Sequence, residues 1–162
     1  MGLPYRLFIR PTLKFQDSEK AHNRSLFFLK KISSFSVSRF ALSAFYQTKH
    51  DLPVKVFGHT YKHPFGLAAG MDKKAEALLG WQAIGLSFAE IGGVTMLEQS
   101  GNPKPRMFRS DKHKALINRM GFNNPGSEKI SQTLDLHFKK HGHPKIPPVS
   151  YTHLTLPTNR EV

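Results

Sequence analysis

The chain has 162 residues, of which 39% are hydrophobic, so one domain with a packed core is expected. The absence of cysteine excludes disulfides, thiolate metal sites and cysteine nucleophiles, and no apolar run reaches the roughly 18–20 residues of a membrane-spanning helix. The formal net charge of +13 suits a nucleic acid or an anionic membrane surface as partner, and also a solvated basic face.

The N-terminal fifty residues are predicted to form a helical hairpin. Residues 3–15 indicate a short helix that Pro11 bends or interrupts, because proline lacks the backbone N–H that a helix interior needs. Residues 17–32 indicate a longer helix with Asp17 as its N-cap and two lysines near its C-terminus, where the helix dipole favours cations. Its apolar surface is wide, which suggests contacts with the rest of the protein and with lipid.

Residues 1–60 are basic and rich in phenylalanine. They contain ten lysines and arginines against three acids, together with Phe8, Phe15, Phe27, Phe28, Phe35, Phe40 and Phe45. A basic segment of this kind suits the surface of an anionic membrane. A basic nucleic-acid-binding protein is the alternative, although the positive charge is scattered over several segments rather than gathered on one recognisable module.

The next two segments are predicted to lead into a different module. Residues 33–53 contain five serines, end in proline and have mixed polarity, so they are interpreted as a connector. Residues 54–65 alternate in polarity around Gly58, which indicates a β-hairpin.

A βαβ unit is predicted to follow. It consists of a strand over residues 65–69, a turn, a helix over residues 74–85 and a second strand over residues 86–94. Both strands are apolar through most of their length, as in a parallel sheet that is buried on both faces.

One more helix is predicted after this unit. It begins near Asn124 and ends before Gly142, with cations in its last turn. The side chains that are expected to face inward are Ile130, Leu134 and Phe138.

The stretch FGLAAGMDK, residues 65–73, joins a strand end with small side chains to an acid and a base. Bare backbone lets a flat or phosphorylated ligand approach, and helix-opening amides could face an anion. Residues 90–95, EIGGVT, end the next strand in the same way, so both strands are expected to present bare backbone at one mouth. The alternative is that the glycine only makes the turn and Asp72 only caps the helix. Glu90 would be a buried charge, with Lys73 as its expected partner.

The segment over residues 101–126 is a long connection rich in proline and arginine, and connections of this length are usually functional or disordered. Asn118 offers both a donor and an acceptor, which suits the edge of an amide or imide ring. Arg106 and Arg109 suit carboxylates, phosphates or acidic partners, with surface ion pairs as the alternative.

Four motifs, in this order and spacing, resemble the N-terminal half of a class 2, quinone-dependent dihydroorotate dehydrogenase: FGLAAGMDK, EIGGVT, GNPKPRMFR and INRMGFNN. The sequence DSEKAH also resembles the membrane-associated extension of that class, which class 1 enzymes lack. The resemblance covers residues 3 to about 147. It implies an α/β fold, the first part of a (β/α)8 TIM barrel over residues 51–147, preceded by a small helical extension over residues 1–50.

The resemblance implies the oxidation of dihydroorotate to orotate in pyrimidine synthesis, with FMN as cofactor and ubiquinone or menaquinone as electron acceptor. The residues that it assigns to FMN are Ala69, Gly70, Met71, Asp72, Lys73 and Gly93. The residues that it assigns to dihydroorotate or orotate are Lys73, Asn118, Arg119, Met120, Gly121 and Phe122. His22 and Arg109 would border the quinone tunnel. Gly93 departs from the Thr or Ser that the family commonly has there, which removes the side chain of one flavin hydrogen bond.

The resemblance also implies a place for the protein in the cell. The extension would sit peripherally on the membrane, and Met1 stands directly before it without an arginine-rich transit peptide. We therefore expect a bacterial source and the cytoplasmic face of the inner membrane, with no metal and no nucleic acid bound.

The end of the chain departs from the family. Pro148–Thr158 resembles the translation of a transposase adapter used in sequencing libraries, so residues 148–162 are interpreted as an artefactual tail. The serine base, the flavin-binding lysine and the phosphate loops of the family would follow residue 148, so this fragment is expected to be inactive. With about two of eight βα units the barrel cannot close. Residues 86–94 are therefore expected to present an unpaired, aggregation-prone edge.

Overall fold

The computed structural model describes residues 3, 7–8, 10–47, 50–56 and 58–151. The helices there are α1 (Arg10–Lys14), α2 (Ser18–Ser33), α3 (Ser36–Tyr46), α4 (Leu78–Ala83) and α5 (Ser127–His141). The strands are β1 (Val54–Val56), β2 (His59–Tyr61), β3 (Ala89–Gly93), β4 (Met107–Ser110), β5 (Ala115–Asn118) and β6 (Pro148–Tyr151).

The start of α2 follows the sequence prediction. The Asp17 carboxylate accepts a hydrogen bond from the Lys20 backbone N–H at 2.9 Å and caps the first turn. Pro11 lies in α1, and residues 7–8 before it have π-helical geometry. The remainder of the predicted first helix lies partly outside the described residues.

α2 packs directly on α4. Leu29 lies over Gly80, and a Cβ atom at Gly80 would come within 2.5 Å of Leu29 Cγ. Glycine is therefore what permits the close approach of the two helices. One turn earlier on α2, Leu26 belongs to the main hydrophobic core. The N-terminal helices and the rest of the described chain thus share one core.

The prediction of a connector over residues 33–53 is wrong, because most of this segment is helix α3. One of the serines that suggested a loop connects two helices: the Ser38 hydroxyl in α3 donates to the Ile32 carbonyl oxygen in α2 at 2.6 Å. Side-chain hydroxyls can bond backbone carbonyls of the preceding turn, so serine content alone does not exclude a helix. Arg39 fixes α3 to the end of α2 by donating to the Ser33 carbonyl oxygen at 2.8 Å.

The predicted hairpin around Gly58 is confirmed. β1 and β2 pair in antiparallel fashion, with Val54 opposite Tyr61 and Val56 opposite His59. Gly58 adopts a positive φ of 79°, which suits the tight turn.

The predicted βαβ unit is present with shorter elements. The first strand is reduced to a parallel bridge between Leu67 and Ala89. The helix covers only α4 because Ala75 has a positive φ of 55°, which interrupts helical geometry before residue 78. The second strand, β3, then follows in parallel orientation.

The prediction of an unpaired edge over residues 86–94 is wrong. β6 pairs with β3 in parallel, and the Ser150 hydroxyl donates to the Gly92 carbonyl oxygen at 3.0 Å. β3 therefore lies between Leu67 and β6. Residues 148–151, set aside on sequence grounds, form this strand, whereas residues 152–162 lie outside the described part of the chain. The described strands form three separate two-stranded sheets, so this part of the chain contains no closed barrel.

Residues 101–126 contain a hairpin that the sequence analysis did not predict. β4 and β5 pair in antiparallel fashion, with Phe108 opposite Ile117. The four residues of the tip end in Lys114, whose positive φ of 50° reverses the chain.

The helix predicted near residues 124–142 is confirmed as α5, and Gly142 ends it with a φ of 72°. Ile130 on this helix joins Leu78, Trp81 and Ile91 in the core. Among the described residues, no helix combines the length and apolar character that crossing a bilayer requires.

Candidate functional site

One large open cavity of about 1570 Å³ lies between α2, the ends of the parallel strands and the β4–β5 hairpin. Its size exceeds the roughly 300–1000 Å³ that is usual for a site holding one small molecule. Of the residues assigned from the resemblance, these line it: His22, Ala69, Gly70, Met71, Lys73, Gly93, Arg109, Asn118, Met120, Gly121 and Phe122. The fold therefore brings together segments that are far apart in sequence.

The strand ends supply a wall of bare backbone. Gly70 and Gly92 both have positive φ, 97° and 86°, and a Cβ built on Gly92 would lie 3.9 Å from the Gly70 nitrogen. The two glycines are therefore neighbours across adjacent strands. With Gly93 beside them, this part of the wall carries no side chains.

Asp72 holds the turn from behind rather than facing the cavity. It is fully buried, and its carboxylate accepts hydrogen bonds from the backbone N–H groups of Glu76 and Ala77 at 2.8 and 2.9 Å. The Trp81 indole N–H donates a third at 3.0 Å. Asp72 does not line the cavity, and its carboxylate holds the turn that precedes α4 rather than capping that helix.

Lys73 brings a positive charge to the cavity wall. Its ammonium group donates to the Asn123 side-chain oxygen. Burial lowers the pKa of Lys73, and the nearby charge of Arg106 lowers it further, while Glu19 acts in the opposite direction. The predicted partner, Glu90, also lines the cavity, but no ion pair joins it to Lys73 in the described chain.

The segment from Asn118 to Phe122 lies mainly along the cavity, with one exception. Arg119 turns away: its guanidinium donates to the Pro105 carbonyl oxygen at 3.3 Å and stands 6.0 Å from the centre of the Phe108 ring. Of the five residues that the motif assigns to the substrate, four line the cavity, and Arg119 contacts the hairpin instead.

His22 and Arg109 line the part of the cavity that faces the N-terminal helices. His22 projects from α2, and its pKa is lowered by burial and then by the charge of Lys73, with Asp72 and Glu19 opposing. Arg109 on β4 donates to the Leu13 carbonyl oxygen in α1 at 3.0 Å. This arginine therefore ties the hairpin to the N-terminal helices.

The strongest link between the N-terminal helices and the rest is a buried ion pair. Arg106 Nη2 lies 2.7 Å from Glu19 Oε1, and Arg106 Nε lies 3.2 Å from both carboxylate oxygens. Arg106 also donates to the carbonyl oxygens of Ser100 and Asn102. Sequence reasoning placed Arg106 among residues for acidic partners or surface ion pairs, and missed Glu19. No local signal could have paired residues this far apart.

Comparison with known proteins gives a consistent result. A family model described as "Dihydroorotate dehydrogenase" matches residues 51–153. The dihydroorotate dehydrogenase (quinone) of Alkalilimnicola ehrlichii is 41% identical over 126 residues, which cover 78% of this chain and 36% of that protein. A Thermus thermophilus protein of the same name is 53% identical over 93 residues, which cover 57% of this chain and 27% of that protein.

Two solved structures of DHODH from Eimeria tenella are also similar. The ligand-free structure gives a TM-score of 0.64 at 34% identity, covering 83% of this chain and 37% of that one. The complex with ferulenol gives a TM-score of 0.58 at 38% identity, and the match covers 75% of this chain and 31% of that one. The chain thus spans about a third of the length of the curated relatives it matches, for example 36% of two of them.

Proposed function

The chain belongs to the dihydroorotate dehydrogenase family, and we propose that it forms the cofactor-facing and quinone-facing part of a quinone-dependent member. The complete protein would oxidise dihydroorotate to orotate in pyrimidine synthesis, with FMN as cofactor and ubiquinone or menaquinone as acceptor. The names of the relatives support this proposal. They give no support to the nucleic-acid-binding alternative.

One observation carries the proposal. The bare strand ends, the segment 118–122 and the N-terminal helices open onto a single cavity that is large enough for more than one small molecule. A redox enzyme that passes electrons between two substrates needs both to reach one cofactor. The arrangement offers a position beside the backbone for a flat ring, with polar groups on one side and the N-terminal helices on the other.

The residues present fit FMN. Gly70, Gly92 and Gly93 leave a stretch of wall without side chains, which a planar ring system can approach closely. Ala69, Met71 and Lys73 complete this wall. When bound, FMN would supply the two-electron oxidation that side chains alone cannot perform.

The substrate would lie near Lys73 and Asn118. The Lys73 ammonium, held by Asn123, offers a positive charge for an anionic ring substituent. Asn118 can donate to and accept from the edge of a ring imide. Arg119 has no direct part in this proposal, because its guanidinium contacts the hairpin.

The quinone would enter between the N-terminal helices, past His22 and Arg109. Large apolar side chains are exposed on this segment, among them Phe27, Phe35, Val37, Phe40 and Phe45. With the basic residues around them they suit an anionic bilayer surface. We therefore place the protein peripherally on the cytoplasmic face of a bacterial inner membrane.

The test is expression of a protein that contains this chain and has the full length of the curated relatives. The purified protein should be yellow, with flavin absorbance, and should reduce quinone in a dihydroorotate-dependent reaction. The 162-residue chain alone, which spans 36% of the length of two curated relatives, is expected to do neither. A complete protein that is colourless and has no affinity for FMN would refute the proposal.

A further inference from the structure

Two histidines face each other near the C-terminal end of α5, outside the cavity. His137 and His141 are one helical turn apart, and this spacing puts both on one face. Their ring centroids lie 5.5 Å apart, with the ring planes inclined by 51°. Neither residue lines the cavity, and the proposed function makes no use of them.

His137 carries an unsatisfied polar atom. Its Nε2 is buried and has no hydrogen-bond partner among the described residues. Buried polar atoms nearly always have a partner, and a neutral imidazole nitrogen can bind a metal ion. His137 Nε2 is therefore available to bind a ligand from outside the described chain.

We propose that His137 and His141 form a two-histidine site for a divalent transition-metal ion, with water completing the coordination. Two imidazole nitrogens that share one ion at about 2.1 Å place their ring centres roughly 5 Å apart. The observed separation of 5.5 Å is close to this value.

The donor set selects the kind of metal. Imidazole nitrogens suit Cu²⁺, Ni²⁺ and Zn²⁺, whereas Ca²⁺ and Mg²⁺ prefer oxygen ligands. Lys140 and Arg39 repel cations, so only an ion with strong affinity for nitrogen should remain bound. No group of three or more metal-ligating side chains occurs within the described ranges, so the affinity should be modest, with Cu²⁺ the tightest ligand.

The experiment is a titration of the 162-residue chain with Cu²⁺ alone, followed by calorimetry and electron paramagnetic resonance. The tightest site should take one equivalent and show coupling to two imidazole nitrogens. His137→Gln and His141→Gln should each weaken this site by about tenfold or more. His59→Gln, at an exposed position on β2, is the matched control and should bind as the unsubstituted chain does.

Far-UV circular dichroism checks that the variants fold. If His137→Gln unfolds, the less buried His141 gives the decisive variant. Unchanged binding in His141→Gln would overturn the proposal, as would coupling to fewer than two imidazoles. A loss in His143→Gln with none in His141→Gln would overturn it too, because His143 stacks on Phe138 instead, at 4.5 Å between ring centroids. The result is independent of flavin binding and so does not bear on the proposed function.

Discussion

The Glu19 carboxylate and the Arg106 guanidinium, 87 residues apart in the chain, meet in a buried ion pair with a shortest distance of 2.7 Å. Both side chains are about nine-tenths buried, at 10% and 8% exposure. Removing one partner would leave the other charge buried without compensation, which typically costs about 3–5 kcal/mol.

We therefore predict that Glu19→Gln lowers the free energy of unfolding by about 3 kcal/mol. Urea unfolding followed by circular dichroism measures this change. Lys104→Ala is the matched control: its ammonium lies 3.5 Å from the same carboxylate but is 68% exposed, so the expected loss is below about 1 kcal/mol. Equal effects of the two substitutions would contradict the prediction.

The same pair gives a pH dependence. The hydrogen bond from Arg106, which outweighs burial, lowers the pKa of Glu19 in the folded protein. The stabilisation is therefore complete above the unfolded-state pKa of about 4.3, and it is lost as the pH falls through the folded-state pKa. Urea midpoints measured from pH 6 downward should fall more steeply for the unsubstituted chain than for Glu19→Gln. Parallel curves would show that Glu19 contributes nothing to acid unfolding.

Trp81 is predicted to stabilise the turn that holds the bare strand end. In Trp81→Phe the fully buried Asp72 carboxylate loses one of three donors, at a cost of about 1–3 kcal/mol. Urea unfolding should be followed by circular dichroism, because Trp81 is the single tryptophan of the chain. Tyr46→Phe, at a residue that is 63% exposed, serves as the control and should change stability little. If Trp81→Phe leaves the free energy of unfolding unchanged, the turn does not depend on the indole N–H.

In the complete protein we predict a catalytic defect for Lys73→Ala. Loss of the Lys73 ammonium group beside the proposed substrate position should lower kcat/KM for dihydroorotate by about 100-fold or more. Lys112→Ala, at the exposed tip of the β4–β5 hairpin, should leave the kinetics unchanged. Steady-state quinone reduction measures both. Similar kinetics for the two variants would remove Lys73 from the substrate site.

The pairing of β6 with β3 gives a prediction about solubility. A chain shortened to residues 1–147 loses β6 and uncovers the backbone groups of β3, so it should aggregate. A chain shortened to residues 1–151 keeps the strand and should behave as the 162-residue chain does. Light scattering at matched concentration separates the two. If 1–147 stays monomeric, edge pairing by β6 has no protective role.

The sequence predicted those elements whose determinants are local. Asp17 as a cap and Gly58 as a turn residue act within a few positions, and both predictions are confirmed. Helix α3 was missed because its serines suggested a loop, whereas the Ser38 hydroxyl bonds the Ile32 carbonyl oxygen at the end of α2 once the two helices are in place. The unpaired-edge prediction is wrong because residues 148–151, which the sequence suggested were an artefactual tail, pair with β3.

In the candidate site, too, the features with local determinants could be predicted, and those that depend on distant contacts could not. Glycines and small residues at strand ends can be recognised from spacing, and the fold brings Gly70 and Gly92 together. What a single side chain faces depends on contacts far along the chain. Asp72 and Arg119 were grouped with their lining neighbours by motif, yet their side chains brace the turn and the hairpin. The partnership of Glu19 with Arg106 is a tertiary contact of the same kind.

The parallel bridge at Leu67, β3 and β6 lie side by side in the order in which they occur along the chain. During synthesis β3 leaves the ribosome after the segment around Leu67, and β6 leaves after β3. This part of the sheet can therefore grow one strand at a time while translation continues, without waiting for a distant partner.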